Sequence, residues 1–529
     1  MIVLPNQWTR YSSMSYFDPL GHISLDYSGM LLQPEAYEGS REKAASALAE
    51  LDAIEKGAVA NTDEGRMVGH YWLRNPALSP EPAIADEIVG TYEAIKQFSS
   101  DVHNGKVKSS TGKPFQSFVL IGIGGSALGP QLVNDSLGGR SDNMMAHFMD
   151  NTDPDGFDRT FGSLEGALDS ALFIIVSKSG GTAETKNGML EAKRRLEAEG
   201  LSFQRQAVAI TQKGSSLDRL AETEGWIRRF PMWDWVGGRT SVLSAVGLLP
   251  ASLQGIDTDA LLEGARYCDA LGRTSDWRDN PSLIMALSWL LATNGKTNRS
   301  LVVLPYKDRL ALFAKYLQQL VMESLGKELD RSGARVNQGL TLFGNKGSTD
   351  QHSYVQQLVE GPDQYLVTFI EVLRDRIGQS MNVDGKNTCG DFLAAFLVGT
   401  RQALMQKARP TITITVPEVN AFHLGLLISL FERAVGFYAA MTGINAYNQP
   451  GVESGKLSAG QALLCLDMAI EFLQSRKAER FGAVEIAERI GRKEDAFTIF
   501  AMLRHAAYND DKPVRMAGTS AREAVFWVS

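Results

Sequence analysis

The sequence predicts an α/β protein with two doubly wound αβα sandwich domains and parallel-type sheets, plus helical N- and C-terminal extensions. Two series of short apolar runs alternate with helix patterns along the chain, which is typical of parallel sheets covered by helices on both faces. The runs lie near 117–121, 145–149, 172–176 and 206–210 in the first series, and near 300–305, 365–370 and 411–416 in the second. The order of elements therefore repeats, although the two halves share no evident sequence identity.

The helix patterns complete both series and suggest how the chain is divided. At 529 residues it is too long for a single core. Helices are predicted near 127–137, 183–199 and 215–223 in the first series, and near 309–327 and 421–442 in the second. We therefore expect an N-terminal helical or extended segment packed on the domains, a first domain, a second domain and a C-terminal helical extension, with bounds 1–110, 111–285, 286–460 and 461–529.

Composition limits the possible functions. The net charge is −8 and no Lys/Arg tract stands out, which disfavours nucleic-acid binding because phosphate neutralisation needs a clustered basic surface. The three cysteines are far apart and without metal-ligand spacing, so we expect a reducing, cytoplasmic location and no metal site. The N-terminus lacks the apolar core of a signal peptide. The apolar stretch 421–441 contains Glu432 and Arg433, which favours a buried helix over a membrane span.

Two strand-to-loop junctions in the first domain are the most informative feature. One is the segment 118–130, in which an apolar run breaks into Gly122-Ile-Gly-Gly-Ser126. The other is the segment 172–185, in which an apolar run breaks into Ser177-Lys-Ser-Gly-Gly-Thr182. Glycine lets backbone N–H groups approach an anion, the following helix N-terminus adds positive potential, and hydroxyls complete the cradle. Two such loops indicate a phosphate held at the carboxyl edge of one sheet.

A dinucleotide site is the alternative explanation of the first loop. Gly122-x-Gly124-x-x-Ala127 satisfies the relaxed dinucleotide fingerprint, and the next apolar run ends in Asp150 at about the expected distance for a ribose contact. The second loop argues against this interpretation. A dinucleotide fold has no standard need for hydroxyls and a lysine after its third strand, whereas a phosphomonoester does.

Two segments of the second domain carry side chains suited to proton transfer. Lys315, Gln319 and Glu323 are spaced to share one face of a helix, and a carboxylate among apolar neighbours suits a general base. His352 follows a Gly-rich polar loop and is the side-chain type best suited to moving protons near neutral pH. From spacing alone, a solvated helix face explains the first group better than catalysis does. A residue at a helix start explains His352 equally well.

Two further segments contain cationic side chains near glycines. Arg239 follows a Gly-Gly turn, so the backbone could approach a ligand and the guanidinium could stabilise an oxyanion. Gln449, Glu453 and Lys456 would share a face if their segment is helical. For Arg239, the alternative is an ion pair near a helix N-terminus. For the segment 449–456, the alternative is an exposed helix start.

Taken together, these segments resemble the glucose-6-phosphate isomerase (phosphoglucose isomerase) family, in a bacterial or plastid-type branch. The resemblance covers nearly the whole chain and keeps the family's order of motifs. The matching segments are 64–74, 121–130, 177–185, 237–241, 322–327, 347–352 and 449–456. It implies two sugar-isomerase (SIS-type) domains, a small-molecule sugar phosphate as substrate and a homodimer with an active site shared across the interface. No cofactor and no metal are implied, because aldose and ketose are at the same oxidation level and an arginine supplies the electrophilic charge.

The resemblance also implies roles for individual residues. Glu323 resembles the base that moves a proton between C2 and C1, and His352 resembles the ring-opening acid/base supplied across the dimer interface. Lys456 resembles the lysine near the ring oxygen, and Arg239 with Gly238 resembles the group that faces the enediolate. The remaining implied substrate and phosphate contacts are Gly125, Ser126, Ser177, Lys178, Ser179, Thr182, Gln319 and Gln449.

The chain departs from the family's commoner motifs at Leu325, in the Ser179-Gly180-Gly181 stretch and at Pro450. The reactive side chains remain, so the resemblance implies reversible isomerisation of glucose 6-phosphate and fructose 6-phosphate in glycolysis and gluconeogenesis. A non-catalytic SIS-type regulator that binds sugar phosphates is the alternative. It would keep the phosphate loops but would not need Glu323, His352 and Lys456 together.

Overall fold

The structure is a computed structural model that describes residues 7–296, 298–477 and 479–528. Within the described helix Pro450–Ser475, the side chains of residues 452–454 and 456 are not described. The chain divides into two units, Met1–Asn448 and Gln449–Ser529. Both large sheets belong to the first unit. The predicted division into four segments stays a prediction.

The first sheet has five strands, and all of its pairings are parallel. Their order across the sheet is Met145–Met149, Ser117–Ile121, Ala171–Val176, Ala207–Thr211 and Arg228–Pro231. The four apolar runs of the first series are confirmed as strands. The fifth strand had no apolar run to reveal it, because Arg228 and Arg229 are exposed at this edge of the sheet.

The second sheet has six strands, of which four are parallel. Their order is Ser15–Phe17, Ser24–Asp26, Thr411–Val416, Tyr365–Val372, Ser300–Pro305 and Leu342–Phe343. The first two strands form an antiparallel hairpin that pairs with Thr411–Val416. The N-terminal segment therefore completes one edge of this sheet. Strands of three residues are too short to give a readable apolar pattern in the sequence.

Helices cover both sheets and confirm the α/β class. The α-helices of the first unit are Gln7–Ser13, Pro34–Glu38, Arg41–Glu55, Pro82–His103, Leu128–Leu137, Pro154–Gly162, Ala183–Ala198, Ser216–Thr223, Ala245–Gln254, Thr258–Gly272, Pro281–Thr293, Phe313–Leu317, Val355–Glu360, Cys389–Gln406 and Ala421–Thr442. The single helix predicted near 309–327 is wrong. That stretch consists of a 3₁₀ turn at Asp308–Leu310, the short α-helix Phe313–Leu317 and a π-helical segment at Gln318–Glu323.

The alternation of side chains along each strand divides the core of the first unit. Phe118 and Leu120 join one large cluster that also contains Leu301 and Val303 of the second sheet. The intervening residue Val119 faces a smaller cluster formed with helices on the outer side of the first sheet. Successive side chains of a strand point to opposite faces, so wholly buried strands are apolar at every position. This pattern made the strands visible in the sequence.

Helix Ala421–Thr442 is the one described helix that is long and apolar enough to cross a membrane by length and composition. Its most apolar 18-residue window is 89% buried inside the protein. It packs against helices Thr258–Gly272, Pro281–Thr293 and Arg41–Glu55. The prediction of a buried core helix is confirmed.

A buried network of charges joins this helix to its neighbours. Arg74, Asp269, Glu432 and Arg433 have side chains that are each 1% exposed. Asp269 Oδ1 lies 2.9 Å from Arg74 Nη1 and 2.6 Å from Arg433 Nε, and Arg74 also pairs with Glu432. Burial alone would raise the pKa of Asp269, but the two arginines hold it below its usual range. Asp269 is therefore ionised, and its negative charge compensates the buried positive charges of Arg74 and Arg433.

We expect Asp269→Asn to lower the free energy of unfolding by about 3–5 kcal/mol, because the amide keeps the shape but leaves two buried guanidinium groups without their shared anion. Urea unfolding of both proteins at neutral pH measures the difference. Asp259→Asn on the same helix is the matched control, since its side chain is 71% exposed and pairs with Lys96 at the surface. The control should change stability by about 1 kcal/mol or less. Equal losses in the two variants would contradict a structural role for the network.

The second unit has its own small core and its own sheet. Helices Pro450–Ser475, Ala483–Arg489 and Ala496–Ala507 enclose buried side chains that include Cys465, Ile486 and Leu503. The strands Phe481–Gly482, Val525–Val528 and Val514–Ala517 form an antiparallel sheet in that order. The region predicted to be helical thus also contains strands.

Candidate active site

Three loops of the first sheet meet at one edge. They follow the carboxyl ends of Ser117–Ile121, Ala171–Val176 and Arg228–Pro231, and all three strands run in the same direction. Ligands of open α/β sheets bind in the crevice outside this edge. The predicted residues of the first domain therefore lie on the side of the sheet where a ligand is expected.

The first loop packs its backbone directly against the Gly-Gly-Arg loop. A Cβ atom on Gly125 would lie 2.1 Å from the Gly238 carbonyl oxygen, so only glycine allows this approach. Ser241 Oγ donates a hydrogen bond to the Gly125 carbonyl oxygen at 3.2 Å. Ser126 ends the 3₁₀ turn Gly124–Ser126 and is half-buried. The two glycines thus bring Ser126 and Arg239 to the same corner of the sheet edge.

The second loop has hydroxyl groups arranged around backbone N–H groups. Gly180 N donates to Ser177 Oγ at 3.1 Å, and Gly181 N donates to Ser179 Oγ at 3.2 Å. Ser177 Oγ also lies 3.3 Å from Thr182 Oγ1. Ser179 is exposed, and its hydroxyl proton can point outward while its oxygen accepts from the loop. Thr182 precedes helix Ala183–Ala198, whose N-terminus favours anions. This arrangement of hydroxyls at a helix N-terminus suits a phosphate.

Lys178 connects the second loop to the segment before Arg239. Its Nζ donates to the carbonyl oxygens of Asp234 at 3.0 Å and Val236 at 3.1 Å. Burial lowers the pKa of Lys178, and the positive charge of Arg66 lowers it further. The lysine therefore fixes the position of a neighbouring loop in addition to adding positive charge near the cradle.

A π-helical segment places Gln319 and Glu323 beside these loops. A Cβ atom on Gly124 would lie 3.1 Å from Gln319 Nε2, so the glutamine amide adjoins the first loop. The expected common face with Lys315 does not form, because π-helical hydrogen bonds span five residues instead of four. Lys315 is exposed, whereas Glu323 is half-buried. Such π-helical segments occur frequently at functional sites.

Arg239 and Glu323 form the centre of the site. Arg239 Nε lies 3.6 Å from Glu323 Oε1, and the two side chains are 7% and 23% exposed. Burial lowers the pKa of Arg239, and the Glu323 carboxylate opposes that shift. A partly accessible carboxylate can take a proton from carbon, and the adjacent guanidinium can stabilise the negative charge that forms on oxygen. This pair is suited to proton transfer next to a carbonyl group.

Sequence reasoning missed the residues that hold this pair in place. Arg239 Nη1 donates to Ser324 Oγ at 2.8 Å and to the Ala446 carbonyl oxygen at 2.5 Å. Arg239 Nη2 donates to the carbonyl oxygens of Tyr447 and Asn448 at 3.2 and 3.1 Å. Main-chain acceptors leave no signal in the sequence. For Ser324, the available signal in the sequence is its position directly after Glu323.

The other predicted catalytic residues are not joined to this pair. His352 is exposed at the end of the 3₁₀ turn Thr349–His352, and it makes no hydrogen bond or ion pair with the described side chains. The neighbouring Asp350 is buried and accepts from Asn345 N at 3.0 Å, which fixes the turn. Gln449 is the exposed first residue of the second unit. Lys456 lies outside the described side chains, so its predicted role stays a prediction.

Within the described residues, no group of three or more His, Cys, Asp or Glu side chains is arranged to hold a metal ion. The site residues named above are mostly hydroxyls, amides, backbone N–H groups and cations. These groups suit a phosphate and sugar hydroxyls better than they suit a metal ion.

Comparisons with known proteins agree with this geometry. A glucose-6-phosphate isomerase of Desulfitobacterium hafniense is 51% identical over 529 residues, which cover 100% of this chain and 99% of the relative. That of Geobacter sulfurreducens is 53% identical over 514 residues, or 97% of each chain. The crystal structure of a glucose-6-phosphate isomerase from Chlamydia trachomatis has a TM-score of 0.78 at 25% identity, covering 86% of this chain and 90% of that one.

The match to a family model spans most of the first unit and the beginning of the second. The model described as phosphoglucose isomerase matches residues 36–471, which include the three loops at the sheet edge and the π-helical segment. The resemblance predicted from the motifs is confirmed. The chain belongs to the phosphoglucose isomerase family.

Proposed function

We propose that this chain interconverts glucose 6-phosphate and fructose 6-phosphate by proton transfer through a cis-enediolate. Membership of the family makes the chain an aldose–ketose isomerase. The observation that carries the mechanism is the Glu323 carboxylate placed 3.6 Å from the Arg239 guanidinium at the edge of the first sheet. Glu323 removes the C2 proton and returns it at C1, and Arg239 stabilises the enediolate oxygen.

The phosphate of the substrate binds, in this proposal, to the loop that contains Ser177, Lys178, Ser179 and Thr182. The exposed hydroxyl of Ser179 and the N-terminus of helix Ala183–Ala198 support this position. The sugar then extends toward Gly125, Ser126 and Gly238, where Gln319 lies close enough to hold hydroxyl groups. Gln449 completes the sugar contacts. We include no cofactor, metal, nucleic acid or membrane in the proposal, and we expect a cytoplasmic location.

Ring opening needs an acid and a base, and we assign these steps to His352 and Lys456. His352 is exposed, so a second subunit could bring it to a neighbouring site. Exposed apolar side chains support a homodimer. Ile377, Met381 and Leu373 are 96%, 77% and 64% exposed, and Phe396, whose carbonyl oxygen accepts from Gln351 next to His352, is 45% exposed. Exposed apolar side chains that gather in a patch mark protein–protein interfaces.

A non-catalytic sugar-phosphate regulator remains the rival proposal. Such a protein would need the phosphate loop but not a carboxylate facing a guanidinium. Formation of glucose 6-phosphate from fructose 6-phosphate, without added metal or nucleotide, distinguishes the two. Binding of fructose 6-phosphate without turnover would favour the regulator.

We expect Glu323→Gln to bind sugar phosphate but to lose isomerisation by at least ~10³-fold, because an amide cannot accept the C2 proton. Exchange of the C2 hydrogen of the substrate with solvent deuterium should be lost together with turnover. Glu328→Gln is the matched control, since Glu328 is exposed and pairs with Arg335 at the surface. Near-normal turnover in Glu323→Gln would remove Glu323 from the role of the base.

We expect Ser179→Asp to raise the Michaelis constant at least about tenfold with little loss of stability. The new carboxylate would stand where the proposal places a dianionic phosphate, and like charges repel strongly in a partly buried site. Ser141→Asp is the control, because Ser141 is exposed and lies before the strand Met145–Met149, toward the opposite edge of the sheet. An unchanged Michaelis constant in Ser179→Asp would move the phosphate to another loop.

Mixed dimers test whether the site is shared between subunits. Glu323→Gln and His352→Ala should each be inactive alone. When they are refolded together at equal concentrations, about half of the dimers should be hybrids with one complete site each. Activity should therefore return to about a quarter of the wild-type value. A mixture that contains hybrids and stays inactive would show that both residues serve the same subunit.

A further inference from the structure

Lys327 is a buried cation next to the proposed catalytic pair, and no step of the proposed reaction uses it. The residue is 6% exposed and begins the short strand Lys327–Leu329. Its Nζ donates to the Glu323 carbonyl oxygen at 2.9 Å and to the Ser324 carbonyl oxygen at 2.8 Å. Because two of its N–H donors bond to main-chain carbonyls, the ammonium group of Lys327 points toward the backbone.

The two carbonyls need such a donor because the helix ends there. The last carbonyls of a helix have no partner within it, and a cation near the C-terminus satisfies them. Gly326 N bonds to the Met322 carbonyl oxygen at 2.8 Å, and Lys327 then bonds to the next two carbonyls. The ammonium group thus gives one hydrogen bond to each of the two carbonyls that end the turn carrying Glu323.

A closed series of contacts connects this turn to the reactive groups. Lys327 holds the main chain of Ser324, and Ser324 Oγ accepts a hydrogen bond from Arg239 Nη1 at 2.8 Å. Arg239 in turn faces the Glu323 carboxylate. The main chain of Glu323 returns to Lys327 and closes the series. A shift of the lysine would therefore move the base and the electrophile relative to each other.

We propose that Lys327 is a positioning residue whose ammonium group holds the end of the π-helical segment. It thereby keeps the Glu323 carboxylate and the Arg239 guanidinium in the relative position that proton transfer requires. This inference rests on the proposed roles of Glu323 and Arg239. It assigns to Lys327 no contact with substrate.

The environment of Lys327 gives the proposal a measurable pH dependence. Burial, together with the positive charge of Arg239, lowers the pKa of Lys327 to about 8, although Glu323 and Asp63 oppose the shift. Arg239 belongs to the Gly-Gly-Arg loop, Glu323 to the preceding π-helical segment, and Asp63 to the turn between the paired strands Val59–Asn61 and Arg66–Met67. The ammonium group is present below pH 8 and is lost above it. Turnover should therefore fall as the pH rises through this range.

Lys327→Met and Lys327→Arg separate positioning from a merely structural role. We expect Lys327→Met to lower kcat by roughly 10- to 100-fold, as for a small misplacement of catalytic groups, and to change KM by less than about threefold. Lys327→Arg keeps a positive charge at all accessible pH values. It should recover part of kcat and remove the fall in activity near pH 8. Lys56→Met is the control, because Lys56 is 73% exposed and pairs with Asp52 at the surface.

The measurements are kcat and KM between pH 6 and 10 and the melting temperature of each variant. The proposal is overturned if both variants keep kcat within about twofold, or if Lys327→Arg shows the wild-type fall near pH 8. It is also overturned if KM rises while kcat is unchanged, because that result would indicate a substrate contact. If Lys327→Met does not fold, the pH profile of Lys327→Arg decides alone. Failure of the proposed base would appear separately, as turnover by Glu323→Gln.

Discussion

Burial of the Arg239 guanidinium is the constraint on which the arrangement of the site depends. A buried charge is costly unless hydrogen bonds and an opposite charge compensate for it. Ser324, 85 residues away in sequence, supplies one acceptor, and the carbonyls of residues 446–448 supply three more. Glu323 supplies the opposite charge. Burial of Arg239 therefore requires three parts of the chain to meet at one point. These are the end of the first sheet, the π-helical segment and the chain after the long core helix.

Close packing of glycines makes that meeting possible. Gly125 and Gly238 approach so closely that any side chain on Gly125 would strike the Gly238 carbonyl. Farther from the site, the ion network around Asp269 fixes helix Ala421–Thr442 against its neighbours. The segment 446–448 follows this helix, so the network indirectly sets where the acceptors for Arg239 stand. The same buried ion network thus contributes both to the stability of the core and to the geometry of the site.

The sequence allowed prediction of the strands that are buried on both faces and of the loops that follow them. Those features are local, since an apolar run and a glycine-rich break lie within one segment. The edge strand Arg228–Pro231 and the hairpin that starts at Ser15 were missed, because pairing with neighbours and not apolar composition defines them. The π-helical segment was read as an ordinary helix for a similar reason. Its hydrogen bonds span five residues instead of four, and this change leaves no separate pattern in the sequence.

Helix Pro450–Ser475, which carries the predicted residue Lys456, belongs to the second unit and is held by the core of that unit. The family model ends at residue 471, inside this helix. The second half of the helix, with Cys465, Ala469 and Leu473, is buried against Ile486 and Leu503 of the later helices. Gln449 and Lys456 stand at its opposite end. Because an isolated helix is marginally stable and gains most of its stability from packing, the core shared with residues 479–528 stabilises this helix. The later helices and strands of the second unit therefore support the helix, although they supply no residue to the proposed chemistry.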